Sequence, residues 1–154
     1  MRHALPIVAL LLLAGCDTTV VGLSTPVAQN PAPVPVTVTY RVAITGTVEG
    51  LAVRYTNGDG RAVAEAVDRE RDGDANSVYV RRVQSEAGAI GTFQFVASGT
   101  VDDGRIAVAI IVSETGNIRN LVAETSAVAF SSVPREDVSV AAEVYVPVAP
   151  PSEE

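Results

Sequence analysis

The chain has 154 residues, a net charge of −7 and 47% hydrophobic residues. That length allows one domain with a substantial core and is too short for two ordinary domains. Because acidic proteins repel the phosphates of nucleic acids, we expect no nucleic-acid partner.

Scarce residue types narrow the chemistry further. The only histidine is His3, the only cysteine is Cys16, and all eleven basic residues are arginine. Beyond the N-terminus the chain therefore lacks the usual general base, amine and thiolate nucleophiles. It also lacks the ligands that hold zinc, copper or haem. We therefore expect no cofactor and no catalytic residue. Ser98 and Ser131 have no histidine to activate them. Two convergent carboxylates could still form a hydrolase site.

The first 16 residues have the pattern of a secretory signal. Residues 1–3 carry positive charge, residues 4–13 are apolar, and two small residues precede Cys16. The apolar run is shorter than the ~20 residues that span a bilayer. Leu13-Ala14-Gly15-Cys16 resembles the lipobox of bacterial lipoproteins, which implies removal of residues 1–15 and lipidation of Cys16. The alternative is a free thiol behind an ordinary leader.

A lipidated Cys16 implies the membrane as a partner. Each buried methylene of an acyl chain contributes ~0.8 kcal/mol, and more than one chain makes anchoring stable. The expected location is the bacterial cell envelope, at the outer or the inner membrane. Asp17 resembles the inner-membrane retention signal of enteric bacteria.

Two proline-rich segments flank the central part of the chain. Residues 16–35 contain four prolines and favour extended polyproline II, at ~3.1 Å per residue. They predict a semi-rigid tether. Residues 147–154 contain three prolines and two terminal glutamates, and they predict a disordered tail. The folded domain is expected at residues 36–146.

In this domain apolar residues recur at every second position, the period of half-buried strands. The pattern predicts strands at residues 34–44, 51–55, 61–67, 78–80, 93–97, 106–112, 121–130 and 138–146. Glycine-, asparagine- or aspartate-rich turns are predicted at residues 57–60, 102–104 and 115–117. Residues 61–67 also fit a helix. Residues 106–112 are apolar on both faces and are expected at the centre of the core.

These elements predict an all-β fold, a single antiparallel sandwich of about seven to eight strands with an immunoglobulin-like shape. The cysteine and tryptophan landmarks of true immunoglobulin domains are missing.

Two parts of the chain carry a family resemblance. They are Tyr40-Arg41-Val42-Ala43-Ile44-Thr45-Gly46-Thr47 with Ala52-Val53-Arg54-Tyr55-Thr56-Asn57, and Gly104-Arg105-Ile106-Ala107-Val108-Ala109-Ile110. They resemble the MmpS-like family, small membrane-anchored β-sandwich proteins described as accessories of mycobacterial lipid transporters. The resemblance covers about residues 37–133 and implies an accessory role in an envelope or transport complex. The chain lacks the family's Pro-Trp and cysteine pair.

One polar cluster has a calcium-like pattern. Asp72, Asp74 and Asn76 stand at alternate positions, as in the first half of an EF-hand loop. Ser77 then replaces the required glycine, and Val83 replaces the bidentate glutamate. A solvated loop between strands is the favoured interpretation, and a calcium site is the alternative hypothesis.

Two further groups are candidates for surface contacts. Arg81 and Arg82 could bind an anion or a partner, or could form surface ion pairs. The four tyrosines could line a binding face or lie at the edge of the core; they are Tyr40, Tyr55, Tyr79 and Tyr145.

The expected function is a non-enzymatic, lipid-anchored envelope module that docks an unidentified envelope protein, since exposed strand edges can pair with a partner strand. The alternative is a carrier that holds a small apolar ligand or lipid between its two sheets, which would require a large internal pocket.

Overall fold

The computed structural model describes residues 33–68, 72–73 and 77–147. Its six strands are β1 (Pro35–Thr56), β2 (Ala62–Ala66), β3 (Tyr79–Glu86), β4 (Thr92–Glu114), β5 (Asn117–Ser131) and β6 (Glu136–Tyr145). All strand pairs are antiparallel, which confirms the prediction of an all-β fold. The predicted signal peptide, most of the predicted tether and residues 148–154 of the predicted tail lie outside the described residues.

Two long strands form the centre of the sheet. β1 and β4, with 22 and 23 residues, pair with each other along most of their length. On the far side of β1, β3 borders residues 35–42 and β2 borders residues 52–56. On the far side of β4, β5 borders residues 104–114 and β6 borders residues 92–101. We call the part with β3 and β5 the first half of the sheet and the part with β2 and β6 the second half.

A glycine-rich irregularity separates the two halves. Gly46 has a φ of +79° and faces the Asp103–Gly104 peptide, where the pairing of β1 with β4 shifts register. A Cβ atom on Gly104 would lie 2.1 Å from the Thr45 carbonyl oxygen, so only glycine allows the two backbones to approach this closely. Such bulges bend a strand and increase its twist.

This bulge corrects two predictions. Asp102-Asp103-Gly104 does not form a tight turn but lies inside the continuous strand β4. The predicted strands at residues 34–44 and 51–55 are both parts of β1, and those at residues 93–97 and 106–112 are both parts of β4. The described residues therefore form six strands, and the predicted count of about seven to eight is not confirmed. Glycine and aspartate tolerate the positive φ that turns and bulges both require, so their presence does not distinguish the two.

The core lies on the inner face of both halves. Tyr40 belongs to the first half, and its ring centroid lies 5.2 Å from that of Tyr55 and 5.1 Å from that of Phe95 in the second half. The two halves therefore pack against each other across one core. Its largest fully buried side chains are Tyr40, Tyr79, Phe93, Phe95, Ile106 and Ile110.

The turn at residues 57–60 is confirmed. The Asn57 carbonyl oxygen accepts a hydrogen bond from the Gly60 N–H, and the Asn57 side chain accepts those of Asp59 and Arg61. Asparagine side chains often close turns in this way. Residues 61–67, whose sequence fits a strand or a helix, contain strand β2 and no helix.

Candidate interaction surface

Small side chains occupy much of the middle of the outer face of the first half. The cross-strand row Arg41–Ala109–Ser126 lies beside the row Ala43–Ala107–Val128. Because alanine and serine leave space above the sheet, the face contains a shallow hollow of about 280 Å³. We call this hollow and its lining residues the outer hollow. It offers a partly apolar surface rather than a set of reactive groups.

Strand β5 forms one edge of the sheet. Within residues 33–68, 72–73 and 77–147, β4 is the only strand that pairs with it. Val128 and Phe130 project from its outer face and are 56% and 79% exposed. We call the open side of residues 121–131 the β5 edge. Large exposed apolar side chains on a strand with one open side are typical of a docking surface.

A polar cluster joins β2 to β3. The Tyr79 hydroxyl donates a hydrogen bond to the Glu65 carboxylate at 2.5 Å, and the Arg81 guanidinium donates another at 2.7 Å. Partial burial alone would raise the pKa of Glu65, but these hydrogen bonds and the charge of Arg81 hold that pKa below its usual value. Burial raises the pKa of Tyr79, and its hydrogen bond to Glu65 raises that pKa further. The Tyr79, Arg81 and Glu65 side chains satisfy one another's hydrogen-bonding groups, which indicates a structural role.

A second hollow, of about 360 Å³, lies on the second half of the sheet. Its polar lining includes Ser98, Thr100, Asp137 and Ser139, and the Thr100 hydroxyl donates a hydrogen bond to Asp137 at 2.8 Å. Asp137 is its single carboxylate. Among the residues that the structure describes, no group of three histidine, cysteine, aspartate or glutamate side chains could hold a metal ion.

The predicted site residues fall mainly outside the described ranges. Cys16, Asp74 and Asn76 are not among the described residues, so lipidation and calcium binding stay predictions. Asp72 is described, and its carboxylate accepts a hydrogen bond from the Asp68 N–H at 3.0 Å. The Asp72 N–H in turn donates to the Asp68 carbonyl oxygen. This carboxylate therefore helps to close its own loop.

The candidate tyrosines and Ser131 mainly have structural roles. Tyr40, Tyr55 and Tyr79 are buried, so they do not line an exposed binding face, whereas Tyr145 is 66% exposed. Ser131 is buried, and its hydroxyl donates a hydrogen bond to the Glu136 carboxylate and accepts one from the Val133 N–H. Its hydroxyl thereby organises the connection from β5 to β6.

The sequence carries a signal for the β5 edge, which is not among the predicted sites. Residues 121–131 hold a single charge, at Glu124, and no proline. Exposed edge strands are commonly protected by charges or proline. The sequence does not show which strand lies at an edge, because that depends on long-range pairing.

Comparison with known proteins places the chain in no family. No protein-family model, no curated protein and no solved structure matches it. Within the described part of the chain, no helix is long and apolar enough to cross a membrane.

Proposed function

We propose that this chain is a non-enzymatic, lipid-anchored protein of the bacterial cell envelope whose β-domain docks another protein. The observation that carries this proposal is the exposure of Val128 and Phe130 beside the β5 edge. Burying such apolar surface against a partner yields roughly 25 cal/mol per Å², and the unpaired backbone can accept a partner strand.

The finer architecture is an immunoglobulin-like sandwich. Counting β1 and β4 once in each half gives two layers of four strands, close to the number expected from the sequence. Support comes from the contact of Tyr40 with Tyr55 and Phe95, which joins the layers. A rigid sandwich would hold the β5 edge in a fixed position for docking.

The anchor is the acylated Cys16, followed by the proline-rich tether. The support is the lipobox pattern in front of the chain's only cysteine. Labelling of growing cells with radioactive palmitate tests this anchor. Label on the wild-type chain and its loss in Cys16→Ser are expected, whereas an unlabelled wild-type chain would contradict lipidation.

The resemblance to the MmpS-like family supports an accessory role in an envelope or transport complex. The carrier alternative receives no comparable support. Tyr40, Tyr55 and Phe95 fill the space between the two halves, and the hollows of 280 and 360 Å³ are lined from the outer faces of the sheet.

Chemical crosslinking of intact cells tests the docking role. The wild-type chain is compared with Val128→Glu at the β5 edge and with Ser139→Glu on β6 as the matched control, since both positions are exposed. We expect crosslinked species that Val128→Glu diminishes and Ser139→Glu preserves. Equal yields from all three chains would count against docking at β5.

A further inference from the structure

Two consecutive apolar side chains are exposed near the start of β5. From residue 122 to residue 130 the strand alternates between exposed and half-buried side chains, as expected for a strand that covers a core with one face. Leu121 breaks this alternation, so that it and Val122 are both exposed, by 55% and 40%. We call residues 119–122 the β5 tip.

A bulge accounts for this double exposure. Ala123 pairs with Val112, but the next residue of β4, Ser113, pairs with Leu121, so that Val122 is an extra residue in the register. A bulge of this kind interrupts the alternation of a strand and re-aims the side chains beside it. Regular pairing would instead turn one of the two aliphatic side chains towards the core.

The β5 tip lies at the end of the sheet where the chain enters the domain. β1 begins at Pro35, and its Thr37 shares a cross-strand row with Ser113 and Leu121. Because neighbouring strands are about 4.8 Å apart, Leu121 lies roughly 10 Å from β1 within this row. The Pro35 carbonyl oxygen also accepts a hydrogen bond from the Thr115 N–H, in the turn that leads to the tip. The chain that precedes Pro35 therefore joins the domain beside the tip.

We propose that the β5 tip lies against the lipid surface that holds the acylated Cys16, an inference that rests on the anchor in the proposed function. Residues 17–32 span at most roughly 55 Å when fully extended, so the anchor keeps the entry end of the domain near the bilayer. A short tether raises the effective concentration of the tip at the lipid surface, and a weak contact then suffices.

The side chains of the tip suit a lipid interface. Leu121 and Val122 supply aliphatic surface that leaves water when it enters the boundary between headgroups and acyl chains. Arg119 is exposed and carries the single charge of the tip, and its long side chain can follow apolar surface while its guanidinium binds lipid phosphates. The carboxylate of neighbouring Glu114 accepts a hydrogen bond from the Asn120 side chain at 2.6 Å. The tip is therefore apolar and cationic within a chain of net charge −7.

Lipid contact at the tip leaves the docking residues accessible. Phe130 follows Leu121 by nine residues of the same strand, which corresponds to roughly 30 Å. β5 then leads away from the bilayer, and Val128 and Phe130 lie where a protein partner can reach them.

Fluorescence quenching in vesicles tests the lipid contact. The full acylated chain is reconstituted in vesicles of phosphatidylethanolamine and phosphatidylglycerol that carry a quencher on the headgroup. Because acylation consumes the Cys16 thiol, a fluorophore can be attached to Asn117→Cys beside the tip or to Ser139→Cys on β6, and both positions are exposed. We expect the fluorophore at residue 117 to be quenched several-fold more strongly than the one at residue 139.

A matched pair of substitutions tests the role of Leu121. In the Asn117→Cys background, Leu121→Glu should lower the quenching roughly tenfold, because a charged side chain is strongly disfavoured in lipid. Val133→Glu is the control, since Val133 is 57% exposed and lies beyond the other end of β5. It should leave the quenching unchanged. Equal quenching at residues 117 and 139, or equal effects of the two substitutions, would overturn the lipid contact.

Flotation and crosslinking distinguish a failure of the lipid contact from a failure of the proposed function. A chain that does not float with the vesicles contradicts the anchor and the lipid contact together. A chain that floats without stronger quenching at residue 117 overturns the lipid contact alone. Stronger quenching at residue 117, in a chain that gives no protein crosslinks at β5 in intact cells, supports the lipid contact and contradicts docking.

Discussion

The Tyr79 hydroxyl and the Glu65 carboxylate lie 2.5 Å apart and join two strands that do not pair with each other. Tyr79 begins β3 in the first half of the sheet, and Glu65 lies in β2 in the second half. Arg81 adds an ion pair to the same carboxylate oxygen. The cluster therefore links the two halves through β2 and β3, on the β1 side of the domain.

Removing the Tyr79 hydroxyl should destabilise the domain. Tyr79→Phe keeps the buried ring and deletes the hydrogen bond to Glu65, which contributes about 1 kcal/mol at a partly exposed site. Urea denaturation measures this loss in the free energy of unfolding. Tyr145→Phe is the matched control because Tyr145 is 66% exposed, and its stability should equal that of the wild type.

The Glu65 carboxylate should make stability depend on pH. Its pKa is lower in the folded chain than the ordinary value of 4.5, so its contribution is fully present above about pH 4.5 and disappears as the pH falls through the folded-state pKa. Glu65→Gln should therefore be less stable than the wild type at pH 7. The difference should narrow on acidification when urea denaturation is repeated at pH 7, 5 and 3.5. A difference that stays constant across this range would contradict the assignment.

Two phenylalanines should respond differently to the same substitution. Phe95 is fully buried and contacts Tyr40 and Tyr79, so Phe95→Ala should cost about 3–5 kcal/mol. Phe130 is 79% exposed, so Phe130→Ala should change the free energy of unfolding by less than about 0.5 kcal/mol. Parallel urea titrations distinguish them. A large loss at Phe130 would mean that the isolated domain already buries this ring.

The bulge between the two halves should be intolerant of side chains. Gly104→Ala brings a Cβ against the Thr45 carbonyl oxygen, so the two long strands must separate. Gly116→Ala meets no atom within 4 Å, and its φ of +83° costs only the roughly 1–2 kcal/mol of a left-handed residue. Thermal unfolding should therefore show a larger drop in melting temperature for Gly104→Ala. The reverse order would contradict the close approach.

Local periodicity predicted most strands because it needs only neighbouring residues. Val36, Val38, Tyr40 and Val42 alternate with polar residues, and all four are fully buried in β1. Periodicity does not show which residues far apart in the sequence lie in contact, or which strands are neighbours. The contact between Tyr40 and Phe95 depends on a bulge that the sequence pattern predicted as a turn. The edge position of β5 depends on β4 being its one neighbour among the described residues.

Photo-crosslinking at position 130 tests the central claim, docking at the β5 edge, most directly. A photoreactive phenylalanine analogue replaces Phe130 in intact cells, and the same analogue at Glu143 on β6 is the control, since both positions are exposed. We predict an adduct with a second polypeptide from position 130, its loss in the Cys16→Ser chain, and none from position 143. No adduct from position 130, or equal adducts from both positions, would contradict docking at this edge.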